Sequence, residues 1–402
     1  MKVAAQAGER LFARNYILLL AYNFAGFGGF QFLLPVLPSY VLTIGGSESQ
    51  VGLINGLFTI SAVAARPFLG REVDRRGKKP LLMWGTLAIV AFMASYSLAV
   101  SIALLFVLRL VHGIAWAATT TSASAMAADL APASRRGEAM GYFGTAASVA
   151  LAVAPLAAVA LMGSYGFNEV FLAGAAFIAV AFLIILPIRE PGPAAAFDRP
   201  AADGRGRPRS GWLDLIYRPA LLPSITAFSV TLTYGALVTY LPLLAFRSSV
   251  NPGVFFTVYA IFLIMARPLG GKLADAAGRK AAIVPGIAIL ALGLGILAFA
   301  TDMPLFMMAA ACYGIGFAFV TPSLMALTVD RAEPEARGAA MGTFSSAFDL
   351  GIGLGSIFLG LLLQVTSFQV MYLTSAGIAV ASLVVYFIGS GPKQRLDQTG
   401  AG

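Results

Sequence analysis

The sequence predicts an all-α membrane protein: twelve transmembrane helices forming two matching six-helix bundles, with both termini cytoplasmic. Three observations carry that expectation. The 402 residues are 59% hydrophobic and only 11% charged, against about 25% charged in an ordinary soluble domain. The apolar residues gather into continuous runs, and a helix needs about 20 such residues to cross a bilayer. The chain also repeats itself at one offset of 201 residues: Arg66-Pro67 returns as Arg267-Pro268, Gly70 as Gly271, Asp74 as Asp275 and Gly77 as Gly278. The register then holds without a gap, through Gly113 and Gly314, Asp129 and Asp330, and Arg136-Gly137 and Arg337-Gly338.

Taken in order, the apolar runs place spans at 16–42, 50–70, 81–100, 103–128, 137–162 and 169–188, then at 219–245, 252–270, 281–300, 304–329, 338–364 and 368–389. Pro, Gly or a charge cluster bounds each one. The runs do not alternate, so helices rather than a β-barrel satisfy the backbone in lipid. The expected organisation is a bundle over 1–188, a cytoplasmic linker over 189–218, a second bundle over 219–389 and a tail over 390–402. The linker reading rests on the Pro, Gly, Ala and Arg content of Pro191–Ser210. Gly211–Tyr217 reads either as a short interfacial turn or as an ordinary connection.

The net charge of +9 is topology rather than nucleic-acid affinity. Lys and Arg fall in alternate loops, including Arg71, Arg75, Arg76, Lys78 and Lys79, then Arg135 and Arg136, then Lys272, Arg279 and Lys280. The opposite loops hold Arg247 beside Glu48, Glu169 and Asp302. That bias sets the cytoplasmic side. With six spans in each half, both halves enter the membrane in the same direction, as parallel repeats. The first apolar run is long and lacks a small-residue cleavage site, so no cleaved signal peptide is expected.

The single Cys312 rules out an internal disulfide, and with one histidine, His112, no metal centre is expected. No Walker motif, nucleophile–base pair or carboxylate dyad occurs, so the sequence predicts neither an enzyme nor an ATPase, and no cofactor.

Gly70-Arg71-Glu72-Val73-Asp74-Arg75-Arg76-Gly77-Lys78-Lys79 joins spans two and three, and its copy runs from Gly271 to Lys280. Both resemble the signature loop of the major facilitator superfamily, Gly-x-Leu-Ala-Asp-Arg-x-Gly-Arg-Lys. Ala276 stands where the motif has Arg, and Glu72 where it has Leu. Gly70 is expected to let one helix approach another closely. The resemblance implies a conformational gate made of Gly70, Asp74, Arg75, Gly77, Gly271, Asp275, Gly278 and Arg279. The alternative is a basic loop that only fixes topology; it accounts for the Lys and Arg but not for the repeated Gly and Asp.

Span four carries Arg109, His112, Trp116, Thr119 and Thr120 on one helical face. Leu105-x-x-x-Arg109-x-x-His112-Gly113 resembles the superfamily's fourth-span motif, with His112 where Gln is common; in exporters that Arg is associated with proton coupling. Arg109 lies roughly 9 Å inside the outer boundary at 1.5 Å per residue. It either faces a cavity or snorkels outward. Asp349, about 16 Å into span eleven, is either a proton-coupling carboxyl or a neutral tie between helices. Gly351, Gly353 and Gly355 follow it and favour close packing. The unusual ionisable groups are asymmetric: Arg109 aligns with Ala310, His112 with Tyr313, and Asp349 with Ser148. Span five holds Ala150-x-x-x-Ala154-Pro155-x-x-Ala158, which resembles the antiporter motif with its glycines replaced by alanine.

Spans one, four, seven and ten line the central path in that family. The implied substrate-binding set is Asn23, Phe27, Phe30, Gln31, Arg109, His112, Trp116, Tyr234, Tyr240, Tyr313 and Phe317. The chain is thereby expected to be a monomeric multi-pass protein of the bacterial inner membrane. Its expected activity is proton-coupled efflux of a small organic molecule, resembling the drug and sugar efflux branch. A proton-coupled metabolite importer, or a non-transporting receptor or scaffold, would use the same fold.

Overall fold

Among the described residues, twelve helices long and apolar enough to span a bilayer emerge where the runs place them: Arg14–Thr43, Glu48–Gly70, Lys78–Leu98, Ile102–Leu130, Arg136–Tyr165 and Phe167–Ile185, then Arg218–Arg247, Pro252–Ala276, Arg279–Ala298, Met303–Asp330, Ala339–Val365 and Phe368–Gly389. The structure, a computed structural model, describes residues 11–132, 135–190, 217–333 and 336–389. Most of the expected linker and the whole expected tail lie outside them, as do Lys2 and Arg10. So do the side chains of Arg71 and Asp74.

Local chemistry explains where the helices start and break. Ser47 opens span two with a capping box: its hydroxyl accepts from Gln50 N while Gln50 Oε1 accepts from Ser47 N at 2.9 Å. Span four is capped by Ser101 and span ten by Asp302, the same place in each repeat. Span one is broken at Phe32 into helices Arg14–Gln31 and Leu33–Thr43. Pro35 has no N–H to give the Gln31 carbonyl, so the ladder fails there.

The exterior of the spans is what lipid requires. Trp84, Val365 and Ile388 are 72%, 79% and 77% exposed, exposure that would be costly in water at about 25 cal/mol per Å².

Two compact units form: the described residues of Met1–Pro208 with Asn251–Ala260, and those of Arg209–Val250 with Ile261–Gly402. The start of span eight therefore packs with the first unit. Gly253 lies against the backbone of Leu156, and Thr257 Oγ1 donates to the Ala152 carbonyl at 2.5 Å, on the alanine-rich turn before Pro155. Elsewhere in this unit Gly113 brings span four onto the Phe58 carbonyl and Ser61 of span two. In the second unit Gly351 and Gly355 bring span eleven onto Phe228, Thr231 and Leu232 of span seven, the close packing the sequence anticipates there.

Each unit is pinned at one end by equivalent tyrosines. Tyr16 donates its hydroxyl to the Ala139 carbonyl at 2.6 Å. Tyr217, its counterpart, donates its backbone N–H to Thr343 Oγ1 at 3.0 Å.

Candidate functional site

The polar centre of the first unit is built on span four. Arg109 is 4% exposed and His112 fully buried. One nitrogen of the Arg109 guanidinium donates to Asn55 Oδ1 of span two at 2.5 Å. Its carbon stands 4.5 Å from the Phe58 ring centroid and 6.0 Å from that of Phe30. Three residues on, His112 Nδ1 meets the Tyr96 hydroxyl at 2.9 Å, which ties this turn of span four to the end of span three. Phe30 stacks on Trp116 at 4.2 Å and on Phe58 at 5.2 Å, and Phe27 meets Trp116 edge-on at 4.9 Å. The guanidinium is thus enclosed by aromatic faces and does not reach the unit's surface.

The energetics of this centre are unbalanced. Removing an ion from water costs several kcal/mol after relaxation. A hydrogen bond to a charged group returns about 1.5–3 kcal/mol, and a desolvated cation–π contact about 2 kcal/mol. Arg109 Nε and Nη1 and His112 Nε2 are buried with no hydrogen-bond partner among the described residues. The acceptor that Arg109 does have is a neutral amide, and the Tyr96 hydroxyl beside the guanidinium, which also meets His112, is neutral too.

Beside this centre, Tyr22, Asn23, Gly26, Phe27, Thr86 and Trp116 with their neighbours line a small cleft with about 20 Å³ open to the centre of a water molecule. That is room for about one water, not for an organic molecule. Asn23 is committed elsewhere, its Nδ2 donating to the Phe143 carbonyl at 2.7 Å. Gln31 is buried, with Oε1 unpartnered among the described residues.

In the second unit Tyr313 meets Thr233 Oγ1 at 3.0 Å and stacks on Phe317 at 6.1 Å, while Tyr234 lies 5.0 Å from Phe317. Tyr240 donates to the Ser356 carbonyl at 2.7 Å, tying span seven to span eleven. Asp349 is half-buried on span eleven, one residue after Phe348, which lines a narrow apolar cleft with Thr231 and Phe344. The residues expected from spans one and four meet in the first unit; Tyr234, Tyr313 and Phe317 form a cluster of their own in the second.

The repeated loop shows why its glycines recur. Gly77 and Gly278 have φ of 88° and 85°, a region that costs a residue with a Cβ. Each turns the chain from one span into the next. Within its unit neither Gly70 nor Gly271 is pressed against a neighbour, and a methyl added at either would meet nothing within 4 Å. Arg75 is exposed and pairs with Glu72 at 3.4 Å. Asp275 pairs with Arg279 at 2.7 Å, and Arg279 also reaches Asp330 at 3.0 Å. At the equivalent place in the first unit Lys78 pairs with Asp129 at 2.6 Å.

Asn55, Tyr96, Phe58 and Glu190 also shape these sites, although the sequence does not single them out. Glu190, at the end of span six, accepts from the Lys78 and Lys79 backbone N–H groups at 2.7 and 3.2 Å. It thereby caps the span that follows the first loop. A lone amide in the apolar run of span two was the available signal for Asn55.

The family model for the Major Facilitator Superfamily matches residues 18–256 and 248–402. The chain belongs to this superfamily. Its relatives include the multidrug resistance protein MdtG of Escherichia coli, 23% identical with 96% of each chain covered. The staphylopine export protein of Staphylococcus aureus is 22% identical over 94% of this chain and 95% of that protein. Among solved structures, the nucleoside transporter NupG superposes with a TM-score of 0.75 at 17% identity, covering 94% of this chain and 100% of that one. At that identity the likeness concerns the fold. As a superfamily member with twelve spans, the chain is a multi-pass inner-membrane transporter.

Proposed function

We propose that this transporter exports a small organic molecule in exchange for protons, by alternating access about a central site. The full-length similarity to a relative named a multidrug resistance protein is the observation that carries the reading. The buried ionisable Arg109 and the half-buried Asp349 support it, because an ionisable side chain in a span is costly and marks an ion or substrate path. A proton entering from outside neutralises Asp349 or displaces it from its partner, and that change biases the outward–inward equilibrium. A bias of a few kcal/mol suffices. Phe27, Phe30, Gln31, Trp116, Tyr234, Tyr240, Tyr313 and Phe317 supply the aromatic and amide surface for the substrate, and Gly70, Asp74, Arg75, Gly77, Gly271, Asp275, Gly278 and Arg279 the gate.

The test is flux in proteoliposomes under imposed pH gradients of either sign, with a panel of organic compounds. The parent concentrates substrate against its gradient only when protons flow the other way, and Asp349→Asn abolishes that coupling while leaving downhill exchange. Flux indifferent to the gradient overturns proton coupling. Flux in the same direction as the proton gradient makes the chain an importer.

A further inference from the structure

We propose that Arg109 is the anchor for an anionic group on the transported molecule, so that the substrates are organic anions bearing a carboxylate or a phosphate. This rests on the transport reading above and names its substrate class.

Three observations converge on it. The guanidinium is buried, yet Nε and Nη1 have no acceptor among the described residues, and its third nitrogen is met by the neutral Asn55. His112 Nε2, one turn further along the same span, is buried and unpartnered as well. Nε and Nη1 lie on different edges of the guanidinium, so each offers a separate charged donor that a carboxylate or phosphate oxygen can accept from.

The repeat supplies an internal control. At the offset of 201, Asn55 aligns with Phe256 and Arg109 with Ala310. Both of those apolar residues are buried. One copy of this architecture therefore fills the same two positions with a large and a small apolar side chain. Phe256 belongs to the first unit and Ala310 to the second, so the comparison holds position by position: neither place by itself demands a polar side chain, and well-packed apolar replacements of buried ions are commonly neutral or stabilising. What the first copy gains from Asn55 and Arg109 is a positive charge in a low-dielectric setting, with two donors left open. Asn55 holds the fork, and Phe30 and Phe58 cover it. The stacked pair Phe30 and Trp116 has to part for a ligand to arrive, which places that step in the conformational cycle.

The test uses the purified full-length chain in detergent and reads thermal unfolding and, with Trp84 and Trp212 replaced by phenylalanine, the fluorescence of Trp116. The probes are matched pairs, benzoate with benzamide and phenyl phosphate with phenol. The parent is stabilised by the charged member of a pair at concentrations at least about tenfold below those of the neutral one, one power of ten being the scale of a single lost charge-assisted contact. The benzoate and phosphate arms separate the two anion classes. The double variant Asn55→Phe, Arg109→Ala, which takes the repeat's residue at each position, still folds and loses the discrimination. Arg109→Lys retains charge preference with weaker binding. Equal stabilisation by both members of each pair, no stabilisation by any anion, or discrimination that survives in the double variant overturns the proposal. Proton-coupled flux of neutral compounds alone removes this inference and leaves the transport reading intact. Anion-selective binding without any flux supports the site and removes the transport reading instead.

Discussion

At the residue scale, backbone geometry and hydrogen bonding decide different positions. Gly77 and Gly278 sit at φ near +88° and +85°, where a Cβ costs roughly 1–2 kcal/mol. Gly77→Ala and Gly278→Ala are each expected to lower stability by about that amount, read as an earlier thermal transition in detergent. At Gly77 the added methyl would also crowd the Glu190 carboxylate, so its loss is the larger. Gly70→Ala lies inside a helix and meets no neighbour within its unit, so it is expected to raise stability by up to about 1 kcal/mol; a loss of flux beside that gain would locate its role in the transport cycle. The repeat marked both kinds of glycine equally in the sequence. It could not say which was held by φ, because recurrence records that a residue is needed and not why. Asn55 escaped notice for the opposite reason: it is unique to one copy, and a single amide in an apolar run carries no periodicity.

At the element scale, span boundaries were legible because membrane thickness fixes length and because Ser, Asp, Gly and Pro punctuate the runs. The break in span one was not, since continuous apolarity outweighs a single Pro35 as a signal. Helix pairing was only partly legible: the glycines of span eleven announce a close neighbour but do not name span seven. Gly355 packs against the Leu232 backbone, which has no flexible end to yield. Gly355→Leu is expected to cost more than about 3 kcal/mol, at the upper end of overpacking, and to abolish accumulation of folded protein in the membrane. Glu190 caps span three through two backbone N–H groups. Glu190→Ala is expected to lower stability by about 1–2 kcal/mol, whereas Glu190→Gln, which keeps an acceptor, loses less. Equal melting temperatures for parent and Glu190→Ala would show that the carboxylate contributes nothing at this end of the unit.

At the scale of the whole molecule, duplication leaves a scaffold in two copies and lets each copy diverge where chemistry is added. The capping residues Ser101 and Asp302, the tyrosines Tyr16 and Tyr217, and the ion pairs Lys78–Asp129 and Arg279–Asp330 all fall at matching places. Matching places need not carry matching weight. Lys78 offers a point charge to one carboxylate, while the Arg279 fork serves Asp275 and Asp330 together, and an ammonium cannot reproduce that planar geometry. Lys78→Arg is therefore expected to be neutral in melting temperature and flux, because the other copy already accepts Arg there. Arg279→Lys is expected to cost up to about 1 kcal/mol, since the pairs are partly exposed and solvent screens them, with the loss shrinking at high salt. Equal responses of the two substitutions, or a salt-independent loss in Arg279→Lys, would mean that the second loop is held by packing rather than by its shared arginine.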